Sequence, residues 1–228
     1  MTIANVSTGK FANANGFSLT PTSTSNFILL TVTCTVTTSW ATTLTAAGGT
    51  VTWTPYTLGG SAHKVFTNNA VTQATFIGQI NSTGAANQTV AFNTGTPALR
   101  IGWQEFSTTA GFASITLDNF GTIDQLSSGI FPSITPAAAG RTYWSFGYDN
   151  GTGVAGSTSG YTYAVDGVNG NLQAYNTNCA GSAQQPNIGD TATDGLSAIA
   201  IVVYENVPAS SGVPIVSPSA AAMRAASW

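Results

Sequence analysis

Hydrophobic and polar positions alternate with a period of two along much of the chain. The clearest run is residues 27–36, FILLTVTCTV, in which every even-numbered position is apolar and the odd-numbered positions carry mainly threonine. This pattern predicts a β-strand with one completely buried face. A second run, residues 198–204 (AIAIVVY), is apolar throughout and predicts a central strand that is buried on both faces.

Shorter runs of the same kind follow one another between turn signals. They lie at residues 51–56, 62–67, 74–80, 88–92, 98–106, 113–117, 141–148, 161–165 and 172–175. The segment GVNG at residues 167–170 indicates a hairpin. Short strands with turns every 8–12 residues or so are typical of sandwiches and barrels. We therefore predict that residues 1–207 form one all-β domain, an antiparallel, jelly-roll-like β-sandwich.

Three segments of this domain are expected to lie outside the strands. Residues 123–136 and 176–193 are interpreted as long connections, and residues 150–159 as a Gly/Ser/Thr loop that is too polar to pack. No segment before Pro208 has the apolar period of a long helix.

The composition changes at residue 208. Residues 208–228 comprise a linker, an extended apolar peptide (VPIV) and a short helical signal that begins at Ser217-Pro218. A helix this short is marginal on its own in water. Two interpretations stay open: a frayed tail, or a C-terminal extended arm or helix that becomes ordered on a neighbouring subunit, with Trp228 as its anchor.

The charge content excludes some partners. Only 6% of the 228 residues are charged, the net charge is −3, and the five Lys and Arg residues are scattered singly. Nucleic-acid binding requires clustered cations, so we expect none. No apolar run reaches about 18 residues, so we expect no membrane span. Residues 1–17 show no basic segment followed by an apolar one, so we also expect no signal peptide and synthesis in the cytoplasm.

The two cysteines, Cys34 and Cys179, match no metal-binding pattern. Cys34 lies on the apolar face of its strand, where a thiol acts as a small hydrophobic group, although a disulfide between the two is an alternative. Asp149, Asp166 and the Asp190/Asp194 loop offer oxygen ligands for calcium, but none follows the EF-hand spacing. We expect no cofactor and no resident metal.

Catalytic residues are sparse. His63 is the only histidine and has no nucleophile motif near it, which favours a surface histidine. Glu105 follows Trp103 on the same strand face, as in a sugar-binding ledge, and Glu105 with Glu205 is the carboxylate pair considered for glycoside hydrolysis. Both also fit ordinary carboxylates at strand ends. We expect no enzymatic activity.

Aromatic side chains give the remaining candidate contacts. Such rings belong to the core when they point inward, and they stack on sugars or anchor an interface when they point outward. The candidates for partner or glycan contacts flank the loop at residues 151–160 or end the chain: Tyr143, Trp144, Tyr161, Tyr163 and Trp228.

Five segments together resemble a family of β-sandwich proteins found in bacteriophages of actinobacterial hosts. They are FILLTVTCTV, ALRIGWQEFS, SITPAAAGRTYWSFGY, SGYTYAV and GLSAIAIVVYENV, spread over residues 27–207. The resemblance depends on strand order and on Trp103, Glu105, Phe106 and Ser107. It implies a virion structural or minor tail protein and transfers no catalytic residues.

The expected function is therefore that of a virion structural protein, either a minor tail protein or a capsid decoration protein. Its partners would be other virion proteins and further copies of itself. The alternative is a carbohydrate-binding module that recognises host surface glycans.

Overall fold

The computed structural model describes residues 3–35, 43–46, 49–91, 99–126, 129–189 and 195–207. Within these ranges the chain forms fifteen β-strands, a 3-10 helix at Phe112–Ser114 and no α-helix. The strands are β1 (Ala4–Asn5), β2 (Lys10–Ala12), β3 (Gly16–Leu19), β4 (Phe27–Cys34), β5 (Thr43–Ala46), β6 (Val51–Pro55), β7 (Lys64–Phe66), β8 (Val71–Ile80), β9 (Ala86–Ala91), β10 (Leu99–Ser107), β11 (Ile115–Gln125), β12 (Arg141–Asp149), β13 (Thr162–Asp166), β14 (Asn171–Cys179) and β15 (Leu196–Glu205).

The strands form three antiparallel sheets. The seven-stranded sheet has the order β1-β10-β4-β8-β6, with β2 beside β1 along β10 and β7 beside β6 along β8. The five-stranded sheet has the order β11-β15-β12-β14-β13, and the three-stranded sheet the order β3-β9-β5. All strands of the seven-stranded and three-stranded sheets lie before residue 108, and all strands of the five-stranded sheet come after it.

Strand β4 is the centre of the fold because it packs on both of its faces. Its even-numbered residues, such as Leu30, meet Phe17 and Val90 of the three-stranded sheet. Phe27 and Leu29 meet the five-stranded sheet. The predicted strand and its completely buried face are confirmed for β4, and the opposite face is buried as well, since all eight residues of the strand are buried.

Thr31, at the centre of β4, is buried without loss of hydrogen bonding, whereas the buried Thr33 hydroxyl has no hydrogen-bond partner among the described residues. The hydroxyl oxygens of Thr31 and Thr75 lie 2.8 Å apart across the β4–β8 pair, so each satisfies the other. Burying an unpaired hydroxyl would cost about 1–3 kcal/mol. Glycine is required at the nearby position 102, because a Cβ there would lie 2.2 Å from the Phe146 ring. The space left by Gly102 accommodates Phe146 between the seven-stranded and five-stranded sheets.

Strand β15 confirms the prediction of a central strand buried on both faces. Ile199, Ile201 and Val203 pack against the seven-stranded sheet. Leu196 and Ala198 pack on the opposite side against Phe131 and Ile188, which come from irregular segments.

Those irregular segments, residues 129–136, 153–161 and 184–189, lie over the outer face of the five-stranded sheet, and we call them the cover. Isolated antiparallel bridges join Ile130 to Asn187 and Ile134 to Gln184. The Gly189 amide donates to the Val154 carbonyl at 3.0 Å. The loop at residues 150–159 therefore packs closely, and the prediction that it is too polar to pack was wrong.

Strand β11 is longer than its sequence pattern indicated. A short strand was expected at residues 113–117 and a connection from residue 123, whereas β11 pairs with β15 from Ile115 to Gln125. A register shift between Leu117 and Asn119 interrupts the alternation, and bulges of this kind hide a strand from a period-two test.

The predicted all-β antiparallel sandwich is confirmed. Its two large sheets share one core, in which Phe106 and Phe27 from the first sheet meet Trp144, Tyr175 and Ile201 from the second. The expected linker and arm, residues 208–228, lie outside the described residues, so that division of the chain stays a prediction.

Candidate functional site

Two of the candidate aromatic contacts are core residues. Neighbouring positions on β12 point to opposite faces of the sheet, and both faces are covered. Trp144 packs between the large sheets, and its indole N–H donates to Gln173 Oε1 at 3.3 Å. Tyr143 points into the cover and donates its hydroxyl to the Pro132 carbonyl at 3.0 Å. Both are completely buried, so neither is a surface contact.

Tyr161 and Tyr163 are half-buried and hold the cover in place. The Tyr161 hydroxyl donates to Gln184 Oε1 at 2.8 Å, and its ring meets Tyr143 edge-on with centroids 5.4 Å apart. The Tyr163 hydroxyl lies 3.3 Å from Asn187 Oδ1. Burial raises the pKa of Tyr161 and of Tyr143, because it disfavours the phenolate. Both hydroxyls therefore act as neutral donors.

The other described tryptophans and tyrosines offer little flat surface for a sugar ring. In the ranges that the structure covers, every tryptophan and tyrosine is buried or half-buried. The Tyr204 ring is capped by Arg141, whose guanidinium carbon lies 3.5 Å from the ring centroid. Trp228, the fifth candidate contact, lies outside the described residues.

The carboxylates provide the largest set of polar contacts, and the sequence pattern did not reveal their role. Eight acidic residues are present in the chain, of which Asp190 and Asp194 lie outside the described residues. Each of the remaining six accepts a hydrogen bond from a loop or a neighbouring strand, and none is fully exposed. They are Glu105, Asp118, Asp124, Asp149, Asp166 and Glu205.

Glu105 is the clearest example. It points from β10 toward the three-stranded sheet and is 5% exposed. Its carboxylate accepts from the Thr22 amide at 3.0 Å, the Thr22 hydroxyl at 2.7 Å and the Asn26 side-chain amide at 2.7 Å. Trp103, on the same face, is covered by Phe17 with ring centroids 4.6 Å apart. The pair therefore anchors the loop before β4 and does not form an open ledge.

Asp124 and Asp166 join the two large sheets at one end of the sandwich. Asp124 accepts from the amides of Thr67 and Asn68, which belong to the turn between β7 and β8. Asp166 accepts from the side-chain amides of Asn13 and Asn169, both at 3.0 Å. Each carboxylate therefore ties an element of the five-stranded sheet to an element of the seven-stranded sheet.

Glu205 performs the same role at the other end. It accepts from the hydroxyls of Thr108 and Thr109 and from the Ala110 amide. Partial burial by itself raises the pKa of Glu205 and of Asp166, but the donors stabilise the charged forms by more. The pKa of both groups is therefore lowered overall.

Metal-ligand geometry is not assembled in the described parts of the chain, where no three His, Cys, Asp or Glu side chains converge. Asp149 accepts from the Gly151 amide at 3.0 Å within its own turn. His63 is half-buried in the turn before β7, where its amide donates to Ser61 Oγ at 3.4 Å.

The two cysteines lie in different cores and form no disulfide. Cys34 packs between the seven-stranded and three-stranded sheets, and Cys179 packs beneath the cover. Burial raises the pKa of the Cys179 thiol to about 11, so this side chain stays protonated near neutral pH. Of the two alternatives, the one in which Cys34 acts as a buried hydrophobic group is therefore confirmed.

The exposed apolar side chains include three valines near the β13–β14 hairpin. Val154, Val165 and Val168 are 43%, 40% and 90% exposed. Val168 lies in the GVNG turn, and an apolar residue in such a turn is a sequence signal that period-two patterns do not reveal. A Cβ at Gly153 would lie 3.1 Å from Leu172, the cross-strand neighbour of Val165. A Cβ at Gly167 would lie 3.5 Å from the Gly153 carbonyl. We call Val154, Val165 and Val168 the valine patch.

Comparison of the chain with family models, with curated proteins and with solved structures finds no match. No helix within the described ranges is long and apolar enough to cross a membrane.

Proposed function

We propose that this protein is a structural subunit of a bacteriophage virion, a minor tail protein or a capsid decoration protein, and that it acts through contacts with neighbouring subunits. One observation carries the proposal: each described carboxylate accepts a hydrogen bond from another group of the fold. Glu105 and Asp149 are buried, and the other four described acids are half-buried around their hydrogen-bond donors. The described outer surface is consequently dominated by Thr, Ser and Asn.

A surface of this kind favours packing of many copies side by side. Proteins that act alone usually carry many charged residues on their surfaces. Molecules with the same net charge repel one another, whereas molecules with near-neutral surfaces tend to associate. Here 6% of the residues are charged, two of the six described acids are buried and the other four are half-buried. The desolvation cost of subunit contact is correspondingly low. This physical argument agrees with the resemblance to phage virion proteins noted above.

The arm at residues 208–228 is proposed to supply one of these contacts. It follows Asn206 and Val207, the two residues after the end of β15 at Glu205, and it carries an extended apolar peptide and Trp228, both suited to burial on a neighbouring subunit. This part of the proposal comes from the sequence.

The test is the location of the protein in particles made from the phage or prophage genome that encodes it. We expect the protein in gradient-purified particles by mass spectrometry, and an antibody against it should label one part of the particle in electron micrographs. Deleting residues 213–228 should remove it from particles while the protein still accumulates in the lysate. A full-length protein that is abundant in the lysate and missing from purified particles would contradict the proposed function.

A further inference from the structure

Strand β13 forms one edge of the five-stranded sheet. Its inner side pairs with β14, from Thr162 opposite Tyr175 to Asp166 opposite Asn171. Among the described residues no backbone group hydrogen-bonds to its outer side. Exposed edges of this kind present unpaired N–H and C=O groups to any strand that can align with them.

Most of the other sheet edges carry features that discourage pairing with another strand. Lys10 lies on β2, Lys64 on β7 and Pro55 on β6, and charged residues or prolines at an edge discourage pairing. The edge strand β11 has a register shift after Leu117, which interrupts regular pairing. Strand β5 lies against β6, and β1 has only two residues.

Strand β3 is another regular edge strand among the described residues, and it carries no charged residue or proline. Its exposed side chains are Gly16 and Ser18, which leave nothing apolar to bury. Strand β13 instead exposes Val165 and half-exposes Tyr163, and the valine patch continues this apolar surface beyond the strand. It therefore combines an open backbone edge with apolar side chains.

We propose that β13 pairs with β13 of a second copy of this chain across a twofold axis at Ala164, which joins the two five-stranded sheets into one continuous sheet. This inference rests on the proposed function, since it names the first partner in the subunit contacts. The occupant is a second copy because the strand is complementary to itself. Antiparallel pairing about Ala164 places Tyr163 of each copy opposite Val165 of the other, and aromatic–β-branched pairs stabilise antiparallel sheets.

Charge supports the same register. Asp166 is the only charged residue of β13, and in this register it faces Thr162 of the other copy. The two Asp166 carboxylates are then four residues apart along the paired strands, about 13 Å at the usual rise. This exceeds the screening length of roughly 8 Å at physiological salt, so they do not oppose the contact.

The test uses the purified full-length chain and a matched pair of variants. Val165→Lys places a charge in the middle of the proposed interface, whereas Val65→Lys places the same charge in the middle of β7, at a valine that is 36% exposed. Sedimentation between about 1 and about 100 µM, a range that brackets micromolar dissociation constants, should show a dimer for the natural chain. We expect loss of the dimer in Val165→Lys and an unchanged dimer in Val65→Lys.

Hydrogen exchange of the natural chain provides a readout that needs no variant. Amides of β13 should exchange on the order of tenfold more slowly at high protein concentration than at low, with no change in β7. A monomer at all concentrations, or a dimer that persists in a folded Val165→Lys variant, overturns the inference. Both of these results are compatible with a protein that is present in particles, so they do not contradict the proposed function. A protein that forms the β13 dimer but is missing from purified particles would contradict only the proposed function.

Discussion

Single carboxylates in this protein act as anchors for loops. Glu105 accepts three short hydrogen bonds from Thr22 and Asn26, so residues 22–26 are held against β10 just before β4 begins. A buried charge is tolerated only when donors surround it, and these donors supply that compensation. The residues that would be candidates for chemistry in an enzyme here determine where the chain turns.

Replacing Glu105 by glutamine should destabilise the fold. The amide keeps the size of the side chain but removes the charge and replaces one acceptor oxygen with a donor that faces Thr22 or Asn26. We expect the free energy of unfolding to fall by about 1–3 kcal/mol, measured by urea denaturation. The control is Lys64→Gln at the exposed edge strand β7, which should change it by less than about 0.5 kcal/mol. Equal effects from the two variants would contradict the anchoring role.

Among the structural elements, the cover is held by side chains and close glycine contacts. Asn187 Oδ1 accepts from the amides of Ser157 and Thr158, both at 2.9 Å, and from the Thr158 hydroxyl at 2.7 Å. A Cβ at Gly156 would lie 2.0 Å from the Asn187 carbonyl oxygen, so only glycine allows this approach. The cover is therefore attached to itself through a few specific contacts.

Replacing Asn187 by alanine should loosen the cover locally. We expect amide hydrogen exchange at Ser157 to accelerate on the order of tenfold, because this amide loses its acceptor. The acceleration at Thr158 should be smaller, since its amide keeps the longer contact of 3.3 Å to the Tyr163 hydroxyl. Exchange in β4 should not change, because β4 belongs to the seven-stranded sheet and the five-stranded sheet separates it from the cover. Asn178→Ala, at an exposed position of β14, is the control. Unchanged exchange at residues 157–158 in Asn187→Ala would show that other contacts hold the segment.

The sequence predicted the elements whose alternation is regular and missed those that depend on close contacts. Strand β4 follows from its period-two pattern, β15 from its unbroken apolar run, and the hairpin at residues 167–170 from its turn residues. The cover could not be predicted, because Gly156 and Asn187 carry no sign of their contact. Tyr143 and Trp144 show a related problem: alternation assigns them to opposite faces, but it does not tell that both faces of β12 are covered.

For the whole molecule, the pKa directions predict how stability depends on pH. Asp166 and Glu205 have a lowered pKa in the folded state, so each favours folding while it is charged. Their contribution is present above the unfolded values of roughly pH 4, and is lost as the pH falls through the lower folded values.

We therefore expect the urea midpoint to fall on acidification below about pH 4 and to vary little from these two groups between about pH 6 and 8. The double variant Asp166→Asn, Glu205→Gln should be less stable at neutral pH and should lose less of its remaining stability on acidification. An acid dependence as steep as that of the natural chain would assign the effect to other carboxylates.

The order of pairing also constrains how the protein is made. Strands β1 and β2 pair with β10, whose last residue is Ser107, so during synthesis these two strands wait for about a hundred further residues before their partner exists. The five-stranded sheet waits longer still, because β15 separates β11 from β12 and ends at Glu205. Such distant pairing slows folding, and ribosome-bound fragments that end before β15 should stay sensitive to protease throughout the second sheet.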